Sequence, residues 1–167
     1  DKTVVVADNR IYKNTSHGGR DGGGGIYAYA YDTGDVLLQD NQVYQNTSDR
    51  HGGGIVAYDC RVEGNVLFAN TALDSGGGIY SIRSQILGNT VEKNRSTRGG
   101  GMYSENCRIT GNQVQHNQAP AGGGSSLFFF GQGRIEQNTF QSSCQNLDDR
   151  TETLLISGNP MIHGNNI

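Results

Sequence analysis

The sequence predicts an all-β protein, a right-handed parallel β-helix in which about six coils of 23–26 residues form a single-stranded solenoid. Three observations predict this fold. Pairs of asparagines recur five residues apart, a run of glycines follows most pairs, and short β-branched stretches lie between them. Such stretches broken by Gly and Asn are typical of strands and tight turns. A fixed period of this length is the signature of a repeat architecture.

The asparagine pairs define the repeat, because the segments 61–70, 85–94 and 108–117 match position by position. The first asparagine of each pair lies at Asn9, Asn41, Asn65, Asn89, Asn112 and Asn138. The second lies at Asn14, Asn46, Asn70, Asn94 and Asn117. Asparagine tolerates left-handed backbone angles at turns, and stacked Asn side chains can hydrogen-bond along a column. We therefore expect two structural asparagine ladders.

The length of the repeat fits three short strands per coil, stacked on the next coil at ~4.8 Å. Three inward apolar columns are expected, at Val62, Ile86, Ile109 and Ile135, at Leu67, Val91, Val114 and Phe140, and at Ile55, Ile79 and Met102. One coil cannot bury its own core, so neighbouring coils are required. We expect a single domain over 1–167, a segment or processed form with a longer first coil (1–35) and an irregular last coil (134–167).

Composition and charge exclude several classes of protein. The net charge of −3 argues against nucleic-acid binding, which is typical of basic surfaces. No stretch reaches the ~18 apolar residues of a membrane span.

Cys60 and Cys107 share a coil position two coils apart, about 9–10 Å on strand spacing, which exceeds the roughly 7 Å that a disulfide allows. We expect both thiols to be free, and Cys144 stands alone in the last coil.

No metal site or cofactor is predicted. The chain has neither an EF-hand loop nor the glycine-rich nonapeptide array that binds calcium, and its four histidines share neither a coil position nor a ligand spacing.

Short motifs resemble those of a known group of proteins. The segments 11–14, 43–46 and 67–70 (IYKN, VYQN and LFAN), paired with Gly-Gly-Ile at 53–55 and 77–79, resemble the FxxN and GGA[ILV] repeats of the chlamydial polymorphic outer-membrane proteins and the wider pectin-lyase-like β-helix proteins. Here Ile, Val or Leu mostly replaces Phe, and Gly replaces Ala. The resemblance implies a surface-exposed, adhesin-like solenoid with an extracellular or cell-surface location.

An aromatic stripe is the first candidate site. After each glycine run an outward residue follows, at Tyr27, Val56, Tyr80 and Tyr103, and a second column is expected at Tyr29, Tyr58 and Phe128. Aromatic rows on a flat sheet suit sugar stacking or a protein interface, because tyrosine offers a flat apolar face and a polar tip. The simpler interpretation is cross-strand pairing that stabilises the sheet.

The polar turn before the glycines is the second candidate site. It contains His17, Arg20 and Asp21 in the first coil, Asp49, Arg50 and His51 in the second, and Asp74 and Arg98 in later coils. Glycoside hydrolysis needs two carboxylates about 5–9.5 Å apart, and Asp49 and Asp74 could lie one coil apart. Asp49, Asp74, His51 and Arg50 are therefore weak catalytic candidates, since Asp and Arg are also ordinary residues of exposed turns.

An outward column at Arg61, Gln85, Arg108 and Arg134 could contact an acidic polymer. Glu63 and Glu136 lie two residues along from Arg61 and Arg134, so local ion pairing is the simpler interpretation.

The similarity of the coils to one another favours a non-enzymatic extracellular module, structural or adhesin-like. Its expected partners are a second copy, by end-to-end stacking of open strand edges, or a surface glycan or protein. The alternative is a carbohydrate-active enzyme, a polysaccharide lyase or hydrolase of the pectin-lyase-like class.

Overall fold

A computed structural model describes residues 3–17, 21–30, 35–120, 123–142 and 153–167. All regular elements of these residues are strands, and each strand pairs in parallel with its counterparts in the neighbouring coils. The described residues therefore form an all-β parallel solenoid, as predicted. No helix in these ranges is long and apolar enough to cross a membrane.

Four parallel sheets run along the solenoid. The first contains β1 (Thr3–Ala7), β5 (Asp35–Gln39), β9 (Arg61–Glu63), β13 (Gln85–Leu87), β16 (Arg108–Thr110), β19 (Arg134–Glu136) and β22 (Met161–His163). The second contains β2 (Arg10–Tyr12), β6 (Gln42–Tyr44), β10 (Val66–Phe68), β14 (Thr90–Glu92), β17 (Gln113–Asn117) and β20 (Thr139–Ser142).

The third sheet contains β3 (Thr15–Ser16), β7 (Thr47–Ser48) and β11 (Thr71–Ala72). The fourth contains β4 (Ile26–Tyr29), β8 (Ile55–Tyr58), β12 (Ile79–Ile82), β15 (Met102–Glu105), β18 (Leu127–Gly131) and β21 (Leu154–Gly158). This sheet has one strand per coil, so its six strands are separated by five steps from one coil to the next. The prediction of three strands per coil missed the short third-sheet strands, which continue beyond β11 only as single bridges, Thr71–Arg95 and Arg95–Gln118. Their two-residue length leaves no alternating pattern to detect.

The three apolar columns predicted to point inward form the core. Each member is in register with its counterpart, as in Val62–Ile86–Ile109 and Leu67–Val91–Val114. All eleven predicted members are at most 2% exposed. The solenoid is therefore held together by like side chains stacked on like side chains, each covering the column of the next coil.

Both asparagine ladders are present, and their hydrogen bonds run along the stack. In the first ladder the Asn65 backbone N–H and Nδ2 both donate to Asn89 Oδ1, at 2.9 and 3.0 Å. Asn89 Nδ2 in turn donates to Val62 O in the previous coil, at 2.9 Å. The second ladder repeats this pattern, for example from Asn70 to Asn94. The first ladder also includes Asn165, which accepts from Asn138.

The expected left-handed backbone at the asparagines is wrong by one residue. The residue before each asparagine has a positive φ, as at Asp40 (53°), Gly88 (60°) and Lys93 (54°), whereas no ladder asparagine does. The left-handed residue turns the chain through the corner. The following Asn then points inward, where its amide reaches the coils on both sides.

The glycine runs form a corner between the third and fourth sheets where coils pass too closely for side chains. A Cβ added at Gly77 would lie 2.3 Å from Gly100 O and 2.5 Å from Arg95 N. Gly76, the first residue of the same run, has a φ of 66°. The triplet thus combines one left-handed turn with a close backbone approach.

Cys60 and Cys107 are free and buried, with Ser84 in register between them, as predicted. Cys144 and the part of the last coil at 143–152 lie outside the described residues.

A tyrosine face bordered by a polar turn

The aromatic stripe lies on the outer face of the fourth sheet, and register corrects its second column. The first column contains Tyr27, Val56, Tyr80, Tyr103, Phe128 and Leu155. The second contains Tyr29, Tyr58, Ile82, Glu105, Phe130 and Ser157. Phe128 therefore belongs to the first column. Ser125 and Ser126 take the places of Gly100 and Gly101, so the strand begins later than the glycine triplet suggests.

We call this surface the tyrosine face, comprising Tyr27, Tyr29, Tyr58, Tyr80, Tyr103, Phe128 and Phe130. Tyr80, Tyr103 and Phe128 stack face to face with ring centroids 5.0 and 5.2 Å apart. Tyr58 lies edge-on to Tyr80, and Tyr29 is tilted against Tyr58. The faces of the middle rings are thus covered by neighbouring rings, whereas Tyr27 and Tyr29 are 49% and 41% exposed.

The structure brings the polar turn, the second predicted site, against this face. The His51 ring stacks on Tyr80 at 4.4 Å, and the Arg98 guanidinium lies 5.7 Å from the Tyr103 ring centroid. The Tyr27 hydroxyl donates to Asp21 Oδ2 at 3.3 Å. Two separate patterns in the sequence therefore form one surface, because the glycine corner carries the chain from the turn directly onto the fourth sheet.

Burial and neighbouring charges shift several pKa values at this surface. Burial lowers the pKa of His51 below its ordinary value of 6.5. Burial, with the charge of Glu105 among the smaller causes, raises the pKa of Tyr80 to about 12. The pKa of Tyr58 is also raised, mainly by burial. Near neutral pH these two phenols and the imidazole are therefore uncharged and can donate or accept hydrogen bonds.

The catalytic candidates form separate pairs within the turn. Asp49 Oδ2 lies 2.9 Å from His17 Nδ1. Asp74 Oδ1 lies 2.6 Å from the Arg98 guanidinium, and Asp74 Oδ2 lies 3.6 Å from His51 Nδ1.

Burial works to raise the pKa of Asp74, but the hydrogen bond and charge of Arg98 outweigh it, so this pKa is lowered. In the backbone register Asp74 N–H donates to Arg50 O. Each carboxylate therefore has its own basic partner, and a catalytic role of Asp49, His51, Arg50 and Asp74 stays a prediction. Arg20 lies outside the described residues.

The outward arginine column is present on the first sheet, and local ion pairs satisfy its charges. Arg61 lies 2.7 Å from Glu63, and Arg134 and Arg108 lie 3.6 and 3.9 Å from Glu136. The simpler interpretation of this column is thus supported by geometry.

A second aromatic column was not identified from the sequence as a surface. Tyr12, Tyr44 and Phe68 are in register on the outer face of the second sheet, and Tyr12 and Tyr44 stack at 5.0 Å. Their signal was the aromatic residue two places before the second asparagine, which continues as Glu92 and Gln115 in later coils.

Metal-binding side chains are dispersed along the described ranges. Within them no three His, Cys, Asp or Glu residues converge in a way that could hold a metal ion. The thiols of Cys60 and Cys107 point to backbone carbonyls, donating to Tyr58 O and Glu105 O at 3.0 and 3.2 Å.

Comparison with known proteins gives a match at the level of a family. No curated protein and no solved structure matches the chain significantly. A family model described as "Periplasmic copper-binding protein (NosD)" matches residues 2–166, nearly the whole length. The chain therefore belongs to the NosD family.

Proposed function

We propose that this chain is a non-enzymatic β-helix module on the outer side of the cytoplasmic membrane that binds a carbohydrate chain along its tyrosine face. Membership in a family described as periplasmic supports the envelope-side location at a coarse level. The carbohydrate ligand is our inference from the surface. It is one form of the adhesin-like role that the repeat pattern predicts.

The observation that carries the proposal is the tyrosine face itself. Two columns that together carry seven aromatic side chains run along one side of the solenoid, with tyrosine hydroxyls and the side chains of Asp21, Asp74 and Arg98 beside them. Sugars present both C–H faces and hydroxyl groups. The exposed rings of Tyr27 and Tyr29 can contact the C–H face of a sugar, and tyrosine hydroxyls can hydrogen-bond to its hydroxyl groups, because tyrosine combines an apolar body with a hydrogen-bonding end.

Extension along several coils suits a polymer better than a small molecule. Consecutive strands of a sheet lie ~4.8 Å apart, so the column from Tyr27 to Phe128 spans four such steps, or about 19 Å. A polysaccharide lying along the solenoid would meet Tyr27, Tyr80, Tyr103 and Phe128 of the first column in turn, while Val56 between the first two is buried. Each contact is weak alone, and repetition supplies the affinity.

Copper binding, which the family description names, does not fit the described residues. The two cysteines lie two coils apart, and their thiols donate hydrogen bonds to the backbone carbonyls of Tyr58 and Glu105. Burial raises the pKa of Cys60 to about 11. Copper–thiolate bonds need the deprotonated sulfur. We therefore assign no step of the function to copper.

Isothermal titration with soluble hexasaccharides of glucose, N-acetylglucosamine, glucosamine and galacturonic acid tests the proposal. At least one should bind, and Tyr27→Ala should weaken that binding about three- to tenfold, the value of one aromatic contact. Tyr12→Ala is the matched control, since Tyr12 is also 49% exposed but lies on the second sheet. Equal effects of the two variants, or no binding to any hexasaccharide, would contradict the proposal.

Two other hypotheses, carbohydrate cleavage and end-to-end stacking, can be tested in the same samples. Chromatography of the titrated sugars detects cleavage, which the carbohydrate-active enzyme hypothesis requires and ours does not. Sedimentation velocity at several concentrations detects end-to-end stacking, which stays a prediction.

A further inference from the structure

We propose that the tyrosine face selects a polysaccharide bearing free amino groups, a polymer of amino sugars that are not acetylated. This inference rests on the proposed function and narrows its ligand class. It is argued from the charges that border the tyrosine face and from the way the chain itself binds a cation there.

Negative charge exceeds positive charge around the two columns in the described residues. The bordering carboxylates are Asp21, Asp59, Asp74 and Glu105, and the bordering guanidinium groups are Arg50, Arg83 and Arg98. Counted without the histidines, these carboxylates outnumber these guanidinium groups. An acidic polysaccharide would be repelled by this excess, and a cationic one would be attracted.

Two of the three guanidinium groups are already bound to carboxylates. Arg83 makes two hydrogen bonds to Asp59, at 2.8 and 2.6 Å. Arg98 donates to Asp74 at 2.6 Å. These pairs leave Asp21 and Glu105 as the carboxylates beside the columns with which no described residue forms a salt bridge.

Arg98 shows how a cation is held on this surface. Its guanidinium lies 5.7 Å from the Tyr103 ring centroid and also contacts the Asp74 carboxylate. A cation near an aromatic ring is attracted by the negative charge of the ring face. A ring and a carboxylate also lie together three coils earlier in the first column, where Asp21 accepts a hydrogen bond from the Tyr27 hydroxyl.

A ligand ammonium group can use the same combination at Asp21. The Tyr27 ring is 49% exposed and adjoins the Asp21 carboxylate, so a protonated amine could approach both. Glu105 offers a second carboxylate three coils further along the second column, in register with Ile82 and, through it, Tyr58. Carboxylates at separate points along one face match a polymer with an amine on each unit better than a ligand with one charge.

The outward arginine column, which could contact an acidic polymer, offers little unpaired positive charge. The outward arginines of the first sheet are paired with Glu63 and Glu136. Within the described residues, the guanidinium column therefore carries its own counter-charges, whereas the tyrosine face carries an excess of carboxylate.

The test compares the glucosamine hexamer with the N-acetylglucosamine hexamer, at a pH where the amines are protonated. The free-amine hexamer should bind about fivefold tighter, the upper value of one exposed ion pair. This preference should shrink in high salt, because exposed charges are screened. Asp21→Asn should weaken the free-amine hexamer about threefold, more than it weakens the acetylated hexamer, so that the preference between the two hexamers shrinks. Asp40→Asn, an exposed carboxylate at another corner, is the matched control.

The failures of the two proposals are distinguishable. Equal binding of both hexamers without an effect of Asp21→Asn would overturn the charge preference and leave the glycan-binding proposal standing. Tighter binding of the galacturonic acid hexamer would do the same. If hexalysine binds as tightly as the glucosamine hexamer, the surface selects cations in general, and the assignment to amino sugars is wrong. No binding of any hexasaccharide would overturn both proposals.

Discussion

At two corners of each coil, inward side chains of different kinds form the hydrogen bonds that connect neighbouring coils. At the asparagine corner, between the first and second sheets, the Asn65 backbone N–H donates to Asn89 Oδ1, and Asn89 Nδ2 donates to Val62 O and Leu87 O. At the cysteine–serine corner, between the fourth and first sheets, Cys60 N–H donates to Ser84 Oγ. Ser84 Oγ lies within hydrogen-bond distance of Ala57 O and Ile82 O, at 3.3 and 2.9 Å.

The difference lies in how many bonds one side chain can make at once. An amide carries two N–H hydrogens and a carbonyl oxygen with two lone pairs, so Asn89 can serve three coils simultaneously. A serine hydroxyl has one hydrogen and can donate to only one of its two carbonyls at a time. The thiol of Cys107 is a weaker acceptor still, at 3.4 Å from the Ser84 N–H. The asparagine corner therefore specifies the stacking more strongly.

The glycine corner extends this comparison to a position that tolerates no side chain, and we expect the largest effect there. Gly77→Ala would place a Cβ 2.3 Å from Gly100 O, a backbone atom that cannot move aside cheaply. We expect a loss of more than about 4 kcal/mol in the free energy of unfolding, or failure to fold, measured by urea denaturation followed by circular dichroism.

Gly88→Ala is the matched control for this prediction. Gly88 has a φ of 60°, but an added Cβ there meets no atom within 4 Å. Left-handed strain alone should cost about 1–2 kcal/mol. Equal losses for the two variants would mean that the close approach at Gly77 is relieved at no greater cost than left-handed strain at Gly88.

The comparison between the two polar corners is tested by Asn89→Ala against Ser84→Ala. The first change leaves the buried Asn65 N–H and Val62 O without partners and should cost about 3–5 kcal/mol, since each buried unsatisfied group costs about 1–3 kcal/mol. Ser84→Ala should cost about 1–2 kcal/mol on the same basis. Chemical denaturation measures both. A serine variant as destabilised as the asparagine variant would refute the ranking of the corners.

The columns of the interior could be predicted from the sequence because they depend only on spacing. Once Asn65, Asn89 and Asn112 are aligned, alternation of side chains along a strand fixes which residues point inward. Register errors arose where spacing changed. Phe128 was assigned to the wrong column because two serines replace glycines at the start of its strand.

The surface could be predicted less completely, because it depends on contacts between segments that the repeat does not align. The tyrosines were identified, but the stacking of His51 on Tyr80 and of Arg98 over Tyr103 requires the path of the glycine corner. The left-handed angles lie one residue before each asparagine rather than at the asparagine itself. The preference of Asn for such angles is only a tendency, whereas here the inward hydrogen bonds of each Asn decide its conformation.

The smallest expected effect is a pH dependence of stability. It distinguishes the uncharged corners of the coils from the polar turn, which contains the titratable His51. Amides, hydroxyls and thiols of raised pKa do not change charge between about pH 5 and 7.5, so the corners contribute no pH dependence there. His51 does, because burial lowers its pKa below the ordinary value of 6.5. The unfolded chain then binds a proton near pH 6.5 that the folded chain binds only at lower pH, so stability is lost as the pH falls through this window.

The contribution of Asp74, whose pKa is lowered, is lost only further down, below its ordinary value of 3.8. Thermal midpoints of the wild type and His51→Gln, taken at intervals between about pH 7.5 and 5, isolate the histidine, since His17, His116 and His163 are common to both chains. The wild type should show the steeper decline. An identical decline in both chains would mean that His51 titrates as an exposed histidine does, and that its stacking on Tyr80 leaves it fully hydrated.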